Sequence, residues 1–234
     1  MCDAIPDLKD PEQYKAVAFR NSDFVELKSD DRFDIKMQYP ILGMKYAEKQ
    51  CFVRKEVFEM LQNASTMLPD GYKFRILDAW RPFQLQKELY EFYAQDIIKE
   101  FGLEDCTEEQ KKSVITKFVS NPIEDKDCPP VHTTGGAIDL TILDATGKEL
   151  EMGTGFDDFS DRAYTAAFES EKDKVIRNNR RMLYRVMISV GFTNLPSEWW
   201  HYDYGDRFWA YYKQQSSIYR GVFTKEELNE KLGQ

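Results

Sequence analysis

The sequence predicts an α+β protein in which a small, mainly antiparallel sheet is flanked by helices. Three observations predict it: apolar residues recur at helical spacing in several stretches, short segments alternate with period two, and proline and glycine turn signals separate the two kinds. No repeat, low-complexity tract or linker divides the chain. Its 234 residues, 42% hydrophobic, are therefore expected to close one core as a single domain over 1–234. Within it we expect an N-terminal segment 1–50, a catalytic core 51–210 and a C-terminal tail 211–234.

In chain order, "KEVFEMLQNASTML" places Val57, Leu61, Ala64 and Leu68 on one helical face and stops at Pro69-Asp70-Gly71. "YKFRILDAW" alternates as a strand. Pro82 ends that strand and opens a helix through Leu85, Leu89 and Phe92 toward Phe101, before Gly102. Thr107 and Gln110 form a capping box for a further helix that Asn121-Pro122 terminates. A second strand is expected in "GAIDLTIL", with a turn at Asp144 to Gly147. Val175, Asn179, Met182, Val186 and Val190 trace a helix capped by Gly191. Its Arg177, Arg180, Arg181 and Arg185 read as a solvated face. "EWWHYDY" is the final strand.

Composition narrows the function. With 41 acidic against 32 basic side chains the net charge is −9, which excludes a nucleic-acid footprint or a polybasic membrane patch and favours a small-molecule partner. No transmembrane segment and no signal-peptide plan is seen, so a cytoplasmic location is expected. Cys2 leaves an alternative open, a mature lipoprotein cysteine, and the protein would then be periplasmic or envelope-anchored. Cys2, Cys51, Cys106 and Cys128 form no C-x-x-C pair and read as reduced, structural thiols. Oligomeric state is not legible.

The chain holds only two histidines. His132 and Asp139 are joined through Gly135-Gly136, so a turn can fold the imidazole back toward the strand that carries Asp139. His201 can add a third ligand, and two histidines with one carboxylate leave an open position on Zn²⁺. Glu198 is then a candidate general base, provided that it sits at the strand entry or on a bulge, because residues three apart on a regular strand face opposite ways. The same ligand set suits a non-haem iron oxygenase, and two unrelated histidines fit the spacing as well.

His132-Thr-Thr-Gly135-Gly-Ala137-Ile-Asp139 fits H-x-x-G-x-A-x-D, and Glu198-Trp-Trp-His201 fits E-x-x-H. Together they resemble the two halves of the zinc D-alanyl-D-alanine peptidase superfamily. "DAWRP", "AIDLTI", "MGTGFDDF" and "NRRMLYRVMISVGF" narrow the resemblance to its D-alanyl-D-alanine dipeptidases, over roughly residues 55 to 205. The resemblance implies zinc on His132, Asp139 and His201, and Glu198 moving a proton from water to the leaving amine. It implies that Arg81 stabilises the oxyanion and that Asp157 receives the free ammonium of a small D-amino-acid dipeptide. Asp78, Trp199 and Trp200 read as scaffold.

Three departures stand out: Pro130 where the dipeptidases have a serine, Thr133-Thr134 where they have Ser-Arg, and Met37 aligned with a substrate-facing tyrosine, with Tyr39 nearby. They leave a D,D- or L,D-carboxypeptidase acting on peptidoglycan stems as the alternative reading. Outside hydrolysis stand a catalytically silent zinc module, as in the hedgehog branch, and the iron oxygenase. Glu198 and Arg81 argue against silence, since a structural zinc site needs neither.

Overall fold

A computed structural model describes residues 3–11, 19–20, 22–116, 119–171 and 174–232. Its strands are β1 (Phe24–Leu27), β2 (Phe33–Ile35), β3 (Cys51–Arg54), β4 (Lys73–Asp78), β5 (Ala137–Leu143), β6 (Thr193–Asn194) and β7 (His201–Asp203). Its helices are α1 (Gln38–Ile41), α2 (Lys55–Ser65), α3 (Phe83–Glu100), α4 (Glu108–Ile115), α5 (Lys174–Ser189), α6 (Arg207–Lys213) and α7 (Lys225–Asn229). Five strands form one sheet in the order β2-β4-β5-β7-β6, parallel between β2 and β4 and antiparallel elsewhere, and β1 pairs with β3. This is the expected α+β plan.

β5 is buried along its whole length, so its two faces have different tasks. Ile138, Leu140 and Ile142 share a core with Val57, Leu61 and Ala64 of α2 and Leu183, Val186 and Met187 of α5. The alternate residues, Ala137, Asp139 and Thr141, point the other way. The register then builds a row across the sheet: Asp78 pairs with Asp139, and Asp139 pairs with His201. Asp78 shares parity with the core-facing Ile76 and would point into the apolar side on a regular strand. A register shift between Ile76 and Asp78 inserts one extra residue and turns Asp78 toward the polar face.

Most expected elements appear with trimmed ends. Both halves of the Thr107/Gln110 capping box form. Gly191, at φ 110°, follows the end of α5 in a conformation that suits glycine. The final strand is shorter than expected and begins only at His201, because Leu195 to Trp200 make a turn in which the Leu195 carbonyl accepts from Glu198 N–H and the Glu198 carbonyl from His201 N–H. The C-terminal segment joins the core: Trp80 Nε1 donates to the Val222 carbonyl at 2.8 Å, and Leu228 is buried. Cys51, Cys106 and Cys128 are free thiols, whereas Cys2 lies outside the described residues. Among the described residues no helix is long and apolar enough to cross a membrane.

The arginines of α5 correct the solvated-face reading. Arg181 pairs with Glu169, and Arg180 is 1% exposed. Arg180 donates to the carbonyls of Met152 (2.7 Å), Tyr164 (2.5 Å) and Arg162 (2.8 Å), beneath the ring of Phe168. Burial draws its pKa down to about 10, so it stays charged at neutral pH. Helical spacing marked an apolar stripe but could not show that an arginine beside it ties down the 152–165 loop. Arg180→Met should leave three buried carbonyls without their donor and cost about 3 kcal/mol or more. Urea unfolding measures this, and a loss within about 0.5 kcal/mol, ordinary for a surface change, would contradict the anchoring role.

Candidate active site

The H-x-x-G segment folds as a 3-10 turn, Val131–Thr134, closed by Gly135 in the left-handed region. Both glycines are required. A Cβ on Gly135 would lie 2.2 Å from the Phe24 ring, and one on Gly136 would lie 2.2 Å from the Tyr204 carbonyl. Buried Arg54 fixes the turn by donating to the Thr134 carbonyl at 2.7 Å and the Ser22 carbonyl at 2.6 Å. The Thr133 and Thr134 hydroxyls donate to the carbonyls of Pro130 and Val131 and are thereby committed to the turn.

The turn brings His132 over the Asp139–His201 row. A carbonyl can only accept, so His132 Nδ1, 2.8 Å from the Ala79 oxygen, carries the proton and Nε2 keeps its lone pair. His201 Nε2 faces the Asp203 carboxylate at 2.7 Å, which frees Nδ1 in the same way. His132 Nε2 and His201 Nδ1 then lie 3.2 Å apart, with Asp139 oxygens 3.4 Å and 2.9 Å from them. Three acceptors aimed at one another need a positive charge among them. Although burial opposes charging, Asp203 and Asp139 raise His201 well above the ordinary histidine range. A proton on His201 Nδ1 answers this in part, and a metal ion would satisfy all three lone pairs together. One ligand atom from each of the three buried residues lies within 4.8 Å of the others, and the two-imidazole, one-carboxylate donor set fits a divalent transition metal with a position left open.

Glu198 sits in the turn before β7, at the strand entry, with Oε2 3.8 Å from His201 Nδ1. Asn194 Nδ2 ties this turn to the strand by donating to the Glu198 and His201 carbonyls. Burial pushes the Glu198 carboxyl up to about 8; His201 and Arg81 oppose the rise, and Asp139 and Asp157 add to it. Arg81 is buried: Nε and Nη2 donate to Asp78 Oδ2 at 2.8 Å and 2.7 Å, and Nη1 donates to Gln86 Oε1 at 3.1 Å. Asp78 Oδ2 is also 3.3 Å from His132 Nδ1, so one carboxylate orients both groups.

A small cavity of about 50 Å³ joins these residues, lined by Arg81, His132, Asp139, Asp157, Glu198 and His201 together with Tyr39, Tyr93 and apolar walls. Asp157 adopts φ 56°, a left-handed conformation that aspartate tolerates and that turns the carboxylate inward. Tyr93 donates to its Oδ2 at 2.7 Å and Tyr39 to its Oδ1 at 3.4 Å. All six site residues expected from the sequence therefore meet in one place. Tyr39, and not the aligned Met37, faces the cavity; Met37 belongs to the core. Sequence reading missed Asp203, Tyr93 and Gln86. Asp203 was findable, since residues two apart on a strand share a face.

A family model described as D-ala-D-ala dipeptidase, of the Peptidase_M15 group, matches residues 37–220. The chain belongs to this family. It is similar to the D-alanyl-D-alanine dipeptidase of Synechocystis sp., 30% identical over 195 residues that cover 76% of this chain and 79% of that protein. It is also similar to that of Escherichia coli, 29% identical over 159 residues covering 68% and 69%. Among solved structures, VanYB in complex with D-Alanine-D-Alanine superposes at a TM-score of 0.42 and 16% identity, covering 74% of this chain and 83% of that one.

The orienting contacts make the metal site testable. His132→Ala and His201→Ala should each abolish tight metal binding, and Asp203→Asn should weaken it about 10–100-fold by loosening the His201 ring. Near-stoichiometric metal in both purified histidine variants, by mass spectrometry, would contradict the assignment.

Proposed function

We propose that this chain is a zinc-dependent dipeptidase that hydrolyses D-alanyl-D-alanine or a closely related free dipeptide. The observation that carries the reading is the arrangement of four charged groups in one small cavity. A three-ligand cluster, a carboxylate just outside it, a fixed guanidinium and a second carboxylate walled by tyrosines all meet there. The membership in the dipeptidase family, and the names of its relatives, support it.

His132 Nε2, His201 Nδ1 and the Asp139 carboxylate would hold zinc. When bound, the ion acidifies a water and polarises the scissile carbonyl. Glu198 accepts the proton that the water gives up and delivers it to the departing amine, a role that suits a carboxylate held beside the ligand cluster without belonging to it. Arg81, permanently charged and held by Asp78 and Gln86, offers its remaining N–H donors to the oxyanion. Asp157 at the tyrosine-lined wall receives the substrate's ammonium, which limits the substrate to a free dipeptide.

Two measurements test this. Glu198→Gln should keep the metal and lose at least about 10²–10⁴ in turnover; loss of metal together with activity would reassign Glu198 as a ligand. N-acetylation of D-Ala-D-Ala should lower kcat/KM by about tenfold to a hundredfold, the equivalent of a charge-assisted contact of about 1.5–3 kcal/mol. Asp157→Asn should remove most of that difference. Equal rates on free and acetylated substrate in the wild type would instead indicate a carboxypeptidase.

A further inference from the structure

Asp157 is reached by two hydroxyls from different elements, Tyr39 of α1 and Tyr93 of α3, and the Tyr93 contact, at 2.7 Å, is the shorter. The Tyr93 ring is itself held edge-on by Phe92 of the same helix and by Phe159, with centroids 5.1 Å and 4.9 Å away. Phe159 lies two residues beyond Asp157. One tyrosine therefore grips the loop twice, by its ring at Phe159 and by its hydroxyl at Asp157.

The two hydroxyls are neutral donors. Among the described residues Asp157 makes these hydrogen bonds and forms no ion pair. Each hydroxyl occupies one lone pair of the carboxylate and leaves others turned to the cavity. We propose that Tyr93 is a positioning residue for amine recognition: its hydroxyl fixes the Asp157 carboxylate facing the cavity, with its charge unspent, so that the ammonium of a free dipeptide becomes its salt-bridge partner. The inference rests on the reading of Asp157 given above.

The groups that face Asp157 act in both directions. Burial pushes its carboxyl up to about 7; the Tyr93 hydrogen bond pulls it down, Asp139 of β5 raises it, and Arg81 and Tyr39 lower it. Glu198, before β7, is a further acidic neighbour. Without the Tyr93 hydroxyl the carboxyl holds its proton to a higher pH, so the ammonium is bound more weakly at neutral pH and the binding recovers as pH rises.

Steady-state kinetics of the zinc-loaded wild type, Tyr93→Phe and Asp157→Asn on D-Ala-D-Ala and its N-acetyl derivative test this. Tyr93→Phe keeps the ring packing. It should lower kcat/KM on the free dipeptide about tenfold, the worth of one hydrogen bond to a charged group, chiefly through KM. Rates on the acetylated substrate should stay within about twofold of wild type, since no ammonium is lost there. Its acid limb for the free dipeptide should lie at higher pH than that of the wild type. Equal losses on both substrates would reduce Tyr93 to scaffold and overturn the inference. So would an unchanged preference in Tyr93→Phe while Asp157→Asn erases it. If Asp157→Asn leaves the preference intact, the reading of Asp157 fails first and the inference falls with it.

Discussion

The structure depends on three acceptors without protons of their own converging on one point. The Ala79 carbonyl and the Asp203 carboxylate hold the outward nitrogens of His132 and His201, so the inward nitrogens must meet each other and Asp139 as lone pairs. In a buried face such an arrangement is costly unless a cation sits among them. Much of the surrounding architecture serves to keep it assembled: Arg54 on the turn behind His132, Asn194 on the turn before His201, and Asp78 between His132 and Arg81. Behind His201, burial and then the Asp203 carboxylate push Asp206 well above the carboxylate range.

The sheet supplies the other half of the constraint. Pairing of Asp78 with Asp139 and of Asp139 with His201 puts three functional side chains on adjacent strands at one level, and the irregularity after Ile76 lets β4 keep an apolar face below and a carboxylate above. Packing of α2 and α5 on the opposite face makes that level rigid. Arg180 extends the same support to the loop that carries Asp157, and the tyrosines of α1 and α3 close the cavity from the other side.

What the sequence made legible was what is local in the chain. The turn and strand around His132 and Asp139 form one short stretch and Glu198 with His201 another, and their glycines and carboxylates mark each of them. Helices α2, α3 and α5 were legible from their apolar stripes, and α4 from its capping box. The illegible contacts span long separations: Tyr93 and Tyr39 meet Asp157 across 64 and 118 residues. Arg180 was misread because a charged residue on a helix edge looks solvated until the loop whose carbonyls it holds is in place. Met37 was aligned to a substrate-facing position, but α1 begins just after it and presents Tyr39 to the cavity instead.

In the proposed mechanism His132 Nε2, His201 Nδ1 and Asp139 share one zinc ion while Glu198 stays outside its shell. Diffraction from crystals of the zinc-loaded protein at the zinc absorption edge tests it directly. A single strong anomalous peak is expected, with those two nitrogens and an Asp139 oxygen at about 2.0–2.2 Å and the Glu198 carboxylate not coordinated. A peak elsewhere, ligation through His132 Nδ1, or Glu198 in the coordination shell would contradict it.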